Sequence, residues 1–241
     1  MKTAEEVIRR SIDRFGPKLA LSTSLQKGGI IVLDIAARIQ AGLRVFTIDT
    51  GRLPYETYTM IEAIRNRYSV KVEMVYPDAD ETSRMAALHG PNLFLNDRSS
   101  RVLCCQVRKV RPLDRFLAKQ GNAIQAILTG LRRDQSESRE SVEQIDESGP
   151  VVKINPLAYW SDKDIDRYTE LHDLPVHPLY AKGYTSIGCA PCTRPTSEGE
   201  DVRAGRWWWE EGSKECGIHV TPDRRAQRTV DVMVNEITQH G

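Results

Sequence analysis

Apolar and polar positions along the chain follow two periods in alternation. Residues 18–22 (KLALS) form an apolar run of strand length, and the stretch after Gly28-Gly29 places Ile31, Ile35 and Ile39 at helical spacing. A strand, a loop and a helix are predicted. The unit recurs at residues 44–49 (RVFTID), which read as a strand, followed by the turn Thr50-Gly51-Arg52 and a helix entered through Pro54. Residues 70–76 are a third strand, 108–121 a helix stopped by Gly121, 123–128 a fourth strand and 151–154 a fifth. Strands alternating with helices imply an α/β fold, a mostly parallel sheet flanked by helices on both faces. Ligands of such sheets sit beyond the carboxyl ends of the strands, here in the loops that begin at Ser22, Asp49 and Gly130.

From Ser161, whose SDKD caps a helix predicted to reach His172, the pattern changes. Residues 174–219 are rich in Pro, Gly and aromatic side chains and are expected to be irregular, laid over the sheet, with 200–219 a mobile segment. Val230, Met233, Val234 and Ile237 return to helical spacing behind Thr221-Pro222, so residues 221–241 are predicted to be a docked C-terminal helix. No repeat is visible, and 1–241 is expected to be one domain.

Composition narrows the function. With 241 residues, 40% of them hydrophobic, the chain can bury one core. A formal net charge of +1 with acids and bases interspersed lacks the basic excess of a nucleic-acid binder. The N-terminal MKTAEEVIRRSIDRF is amphipathic without an apolar signal core, and no run approaches the ~20 apolar residues of a membrane span. A cytoplasmic protein with no membrane partner is expected. In that reducing compartment closely spaced cysteines indicate metal or redox chemistry more than disulfides.

The five cysteines divide four to one. Cys189-Ala190-Pro191-Cys192 has a spacing common to zinc and iron-sulfur sites. Cys104-Cys105 is unusual, because neighbouring side chains on a helix diverge by about 100°. Both can ligate only at a kinked helix start, and a 4Fe-4S cube, which offers separate corner irons, suits adjacent sulfurs better than one tetrahedral zinc ion. Gly188 and Pro191 read as loop punctuation, and Arg101, Arg108 and Lys109 flank the first pair. The remaining cysteine lies in Lys214-Glu215-Cys216-Gly217-Ile218-His219. Cationic neighbours lower a thiol pKa, but Glu215 opposes this, and local chemistry leaves Cys216 open between a nucleophile and an incidental surface thiol.

Three stretches suit an anionic nucleotide. Ser22, Thr23 and Ser24 begin a loop that runs to Gly28-Gly29 between a strand and a helix, where hydroxyls and amides can hold phosphate or sulfate. Gly130-Leu131-Arg132-Arg133-Asp134-Gln135-Ser136, with Arg139, brings guanidiniums to a strand end, although a solvated charged loop would look the same. Arg203-Ala204-Gly205-Arg206 precedes three consecutive tryptophans, which cannot all face one core.

Taken in order, CCQVRK from Cys104, GCAPC ending at Cys192, RAGRWWWE from Arg203 and KECGIH from Lys214 closely resemble the assimilatory adenylyl-sulfate reductases of the sulfonucleotide (PAPS/APS) reductase family. The resemblance also takes in the serine loop, Ile48-Asp49-Thr50-Gly51 and GLRRDQS, so it spans most of residues 18–219. It implies an adenine nucleotide α-hydrolase-like, Rossmann-like fold, one 4Fe-4S cluster on Cys104, Cys105, Cys189 and Cys192, and a nucleophile at Cys216. Lys109 matches a lysine between cluster and substrate sulfate, and Arg203 and Arg206 match arginines that clamp the substrate's anionic groups. Further substrate contacts are expected from Ser22, Thr23, Ser24, Asp49, Thr50, Gly51, Arg132, Arg133, Arg139 and His219. Lys27-Gly28-Gly29 stands where an acidic residue is common in the family, and the helix after His219 extends past the usual end.

The resemblance further implies reduction of adenosine 5'-phosphosulfate to sulfite and AMP through S-sulfocysteine on Cys216, as a step of sulfate assimilation. With four cysteines occupied no resolving thiol is left in the chain, so the electron donor is expected to be thioredoxin or a glutaredoxin-like dithiol. A homo-oligomer is expected. The alternatives are an enzyme for the 3'-phosphorylated substrate or both substrates, an adenylating ATP-pyrophosphatase such as a tRNA-thiolating protein, and a non-catalytic iron-sulfur sensor. The paired cysteines favour the unphosphorylated substrate, and the loop lacks the aspartate of the pyrophosphatase signature.

Overall fold

The computed structural model describes residues 2–119, 123–211 and 224–238. Helix α1 (Ala4–Phe15) starts at a capping box, Thr3 with Glu6, and buries Val7, Ile8 and Ile12 on one face. It leads into β1 (Leu19–Ser22), α2 (Lys27–Ile39), β2 (Arg44–Ile48), α3 (Tyr55–Tyr68), β3 (Val72–Val75) and α4 (Ala79–His89). Then come α5 (Arg98–Cys105), α6 (Arg111–Ala118), β4 (Ala126–Leu128), β5 (Ile145–Asp146), β6 (Val152–Ile154), α7 (Asp162–Leu171) and α8 (Arg224–Thr238). The five predicted strands are all present. The short β5 and helices α4 and α5 lacked a clean period and were not anticipated.

The six strands lie in the order β3-β2-β1-β4-β6-β5, parallel throughout except for the β5-β6 pair at the edge. From β1 the chain winds outward through β2 to β3, then crosses back to β4 and winds the other way. The β1/β4 boundary is therefore a topological switch point, where loops diverge and leave a crevice. Helix α2 is buried almost throughout its first three turns and carries the main apolar cluster with α1, α3 and α7. Its one buried carboxylate, Asp34, accepts from Tyr68 at 3.1 Å and Tyr168 at 2.9 Å and pairs with Arg38, tying α2 to α3 and α7.

A second apolar cluster, with Phe46, Val75 and Ile127, covers the other face of the sheet under α6. A third, separate from the sheet, gathers Met85, Leu93, Phe94, Leu103, Val107 and Trp207 with Cys104, Cys192 and Ile237. The last of these belongs to α8, so the C-terminal helix docks where two of the four paired cysteines are buried. The Thr221-Pro222 start predicted for this helix lies outside the described residues.

One sequence expectation changes form. The double cysteine does not stand at a kinked helix start: it ends α5, where the chain widens into a π-helical segment, Gln106–Val110, before tightening again as α6. Cys105 keeps α-helical dihedrals, φ −67 and ψ −38, and the π-turn, of a kind that clusters at functional sites, follows directly after it. Ser161 caps α7 through a capping box with Asp164, as the SDKD pattern predicts. From residue 174 to 211 the regular structure is limited to 3₁₀ turns at Pro178–Lys182 and Ala190–Cys192 and an isolated antiparallel bridge between Thr193 and Arg206. No described helix is long and apolar enough to cross a membrane.

Candidate active site

At the switch point two loops cross almost in contact. A Cβ at Gly28 would lie 2.8 Å from the carbonyl oxygen of Gly130, and one at Gly130 would lie 2.6 Å from both the carbonyl carbon of Gly28 and the amide nitrogen of Gly29. The serine loop and the GLRRDQS loop can meet this closely only because both carry glycine. Thr23, buried, accepts from the amide of Leu25 at 3.0 Å and turns the chain into the N-terminus of α2. Hydroxyls, a helix start and bare backbone thus converge at one end of a large cleft, the arrangement that holds anions.

Ser22, Thr23, Ser24, Thr50 and Lys109 line that cleft together with Arg132, Arg139, Arg203 and Arg206. Its 1910 Å³ exceed the ~300–1,000 Å³ typical of a small-molecule pocket, so a molecule of nucleotide size would fill only part of it. Arg132 is buried and held by the carbonyl of Trp160 at 3.0 Å and by Asp162, while its Nε meets no hydrogen-bond partner among the described residues. Arg139 is held by Gln135. Lys27, the departure from the family pattern, is bound to Asp166 at 2.6 Å and lies 5.0 Å from the Tyr180 ring centroid.

Three predicted residues do not line the cleft. Asp49 is buried and uses both carboxylate oxygens within the protein, accepting from the amide of Gly51 at 2.8 Å and from the Tyr58 hydroxyl at 2.9 Å. Gly51, at φ +70, closes that turn. Burial, with help from Asp49, pushes the Tyr58 phenol up to about 12. Arg133 donates to the carbonyl of Val142 at 2.7 Å and to Glu143 at 2.9 Å. Cys216 and His219 lie outside the described residues.

Beside the cleft is a small cavity lined by all four paired cysteines together with Arg52, Arg101, Arg108 and Trp207. Cys104 and Cys192 are buried, and Cys105 and Cys189 half-buried. Thr50 Oγ1 lies 3.2 Å from the Cys189 sulfur, and the amide of Ala190 donates to the carbonyl of Arg52 at 2.8 Å, fixing the CAPC turn against the end of β2. Burial raises the Cys104 thiol pKa against the pull of Arg108. Burial, reinforced by Cys189 and Cys104, pushes Cys192 up to about 12.

Binding as thiolates therefore requires a centre that displaces these protons, and nearby cations to offset the charge. The cations are there: Nε of Arg108 and Nε of Arg206 are buried without a hydrogen-bond partner among the described residues. Soft thiolate donors under an arginine rim fit an anionic iron-sulfur centre. Among the described residues no group of three or more His, Cys, Asp or Glu side chains is placed to hold a single metal ion. Thr50, Lys109, Cys189 and Arg206 line both the cavity and the cleft and so form a shared wall.

Residues 18–195 match the family model described as the phosphoadenosine phosphosulfate reductase domain. The chain belongs to this family. Proteins named adenosine 5'-phosphosulfate reductase resemble the reductase chain closely: that of Burkholderia cepacia is 42% identical over 207 residues, covering 85% of this chain and 81% of its own length. The one from Allochromatium vinosum is 42% identical over 204 residues, covering 83% and 78%. Among solved structures, the phosphate complex of phosphoadenylyl-sulfate reductase from Candida auris superposes with a TM-score of 0.66 at 27% identity, covering 79% of this reductase chain and 89% of that one. Candida glabrata FMN adenylyltransferase, at 14% identity and a TM-score of 0.57 over 98% of this chain and 82% of its own, shares the fold alone. The fold is adenine nucleotide α-hydrolase-like.

Sequence reasoning placed Arg101 and Arg108 beside the cysteines without a role, read Gly188 only as loop punctuation, and passed over the special backbone of Trp207. Arg108 donates to the carbonyl of Thr50 at 2.9 Å, and Arg101 pairs with Glu210 at 2.6 Å. The flanking basic residues were the available signal. For Gly188 and Trp207 there was none, because their role depends on what packs over them.

Proposed function

We propose that this protein is an adenylyl-sulfate reductase of sulfate assimilation, which converts adenosine 5'-phosphosulfate to sulfite and AMP. The observation that carries the reading is the shared wall: one face of Thr50, Lys109, Cys189 and Arg206 borders an anion-binding cleft and the other a four-cysteine cavity. Names of relatives at 42% identity point to the same substrate.

In this reading Cys104, Cys105, Cys189 and Cys192 hold a 4Fe-4S cluster, which when bound supplies a fixed charge distribution next to the substrate sulfate. The chemistry is carried by the chain. The Cys216 thiolate attacks the substrate sulfur, the bond from sulfur to the bridging oxygen breaks, and AMP leaves with that electron pair, giving S-sulfocysteine. One thiol of thioredoxin then attacks the Cys216 sulfur, sulfite departs, and the second thiol resolves the mixed disulfide, supplying two electrons in all. Because an anion attacks a polyanion, Lys109, Arg203 and Arg206 act by neutralising sulfate and phosphate oxygens before the attack.

Wild-type protein incubated with substrate and no dithiol should gain one SO₃ by mass spectrometry, and Cys216→Ser should gain none. A wild-type chain that releases AMP yet stays at its unmodified mass would overturn the intermediate. Anaerobically purified protein should be brown and hold about four iron atoms per chain. A homo-oligomer is part of the same reading, checked by light scattering.

A further inference from the structure

Arg206 is buried, and among the described residues no carboxylate pairs with it. Among the described residues its guanidinium makes a single long hydrogen bond, from Nη1 to the carbonyl of Ile187 at 3.5 Å. A buried guanidinium held so weakly would ordinarily swing to a better acceptor or to water. Two neighbours that make no hydrogen bond to it explain why it stays.

The first is Gly188. A Cβ there would lie 2.5 Å from Cζ of Arg206 and 2.9 Å from Nη1, and closer still to Nη2. The glycine is not required by its backbone, which does not have positive φ. It is required by the guanidinium lying over it, so the reading of Gly188 as loop punctuation is replaced by one of space.

The second is Trp207, whose ring centroid is 4.6 Å from the Arg206 guanidinium carbon and 4.4 Å from that of Arg101. This tryptophan is 2% exposed and has φ +42, a left-handed conformation that a bulky side chain adopts at a cost of about 1–3 kcal/mol. The turn is fixed by the Trp207 amide, which donates to the carbonyl of Cys192 at 3.2 Å. The strained backbone puts the indole beside Arg206, where an aromatic face attracts a cation without using its N–H groups. Those groups are left to meet an anion in the cleft.

We propose that Gly188 and Trp207 are positioning residues that together seat the Arg206 guanidinium, Gly188 by leaving room and Trp207 by its ring. The inference rests on the reading of Arg206 as a contact to the substrate's anionic groups. Because the group that meets a Cβ at 188 is the far end of a flexible side chain, Gly188→Ala displaces the guanidinium without straining the fold.

The test is equilibrium binding of adenosine 5'-phosphosulfate in a Cys216→Ser background, where the substrate does not react, with thermal midpoint and iron content measured alongside. Arg206→Ala should weaken binding about tenfold, the loss of a charge-assisted hydrogen bond. Gly188→Ala should weaken it by a similar factor at parental midpoint and iron content. The double variant should bind no more weakly than Arg206→Ala, since both remove one interaction. Trp207→Leu should weaken binding and Trp207→Phe should restore most of it. Parental affinity in Gly188→Ala, a loss that adds to that of Arg206→Ala, or a lowered midpoint in Gly188→Ala would each overturn the seat. Parental affinity in Arg206→Ala would instead overturn the substrate contact itself, and the seat with it.

Discussion

At the scale of single residues, burial alone does not tell a functional group from a structural one; the partners do. Arg132 and Arg206 are both buried, but the first is tied to Asp162 and the carbonyl of Trp160 while the guanidinium of the second makes one long hydrogen bond among the described residues. His177 is the structural counterpart. Its Nδ1 accepts from the amide of Leu179 at 3.3 Å, so the proton sits on Nε2, which faces Thr57 Oγ1 at 3.1 Å. Burial lowers its pKa below the ordinary 6.5, opposed by Glu56. A lowered folded value means that the neutral ring stabilises the fold fully above the unfolded pKa, and that this contribution is lost as pH falls through the folded one. Urea midpoints should therefore decline from pH 7.5 to about 5.5, and His177→Asn, which keeps the capping acceptor but cannot titrate, should flatten the slope. An unchanged slope would assign the decline to other groups.

Elements are placed by contacts too close for most side chains. The crossing of the loops after β1 and β4 is backbone on backbone at Gly28 and Gly130, whereas Gly188 faces a flexible side chain. The same substitution should thus have opposite signatures. Gly130→Ala cannot be relieved by a rotamer change and should cost about 1–3 kcal/mol in chemical denaturation, as overpacking does. Gly188→Ala should cost almost nothing in stability and register only in binding. The widened turn at Gln106–Val110 carries Lys109, which lies on the wall shared by the cavity and the cleft.

For the molecule as a whole, the sheet supplies the large cleft and a separate apolar cluster supplies the cysteine cavity. Helix α8 joins that cluster through Ile237, fully buried, and is pinned where Arg84 donates to the Ile237 carbonyl at 2.6 Å. A fully buried aliphatic side chain of this kind contributes about 1.5–3 kcal/mol. A chain ending at residue 223 should have a thermal midpoint lower by several degrees and, with the proposed cluster bound, should lose iron in air faster than the full chain, because the apolar cover over α5 is gone. Equal rates of iron loss would confine α8 to stability.

The alternation of periods and the turn residues determined the five parallel-sheet strands and the loops that form the cleft, because each depends on side chains near one another in sequence. The C-terminal helix was legible for the same reason: Val230, Met233, Val234 and Ile237 fall on one face. Helix α5, by contrast, has eight residues and a mixed face, and its meeting with the CAPC turn joins residues 84 positions apart. Asp49 and Arg133 read as ligands from their loops, yet the tertiary structure binds them to Gly51, Tyr58, Val142 and Glu143, partners that loop position alone did not reveal. Only the packed chain could decide that Gly188 is empty space for Arg206. Sequence carries the identity of a side chain, but which neighbour needs its absence is a property of packing between distant segments.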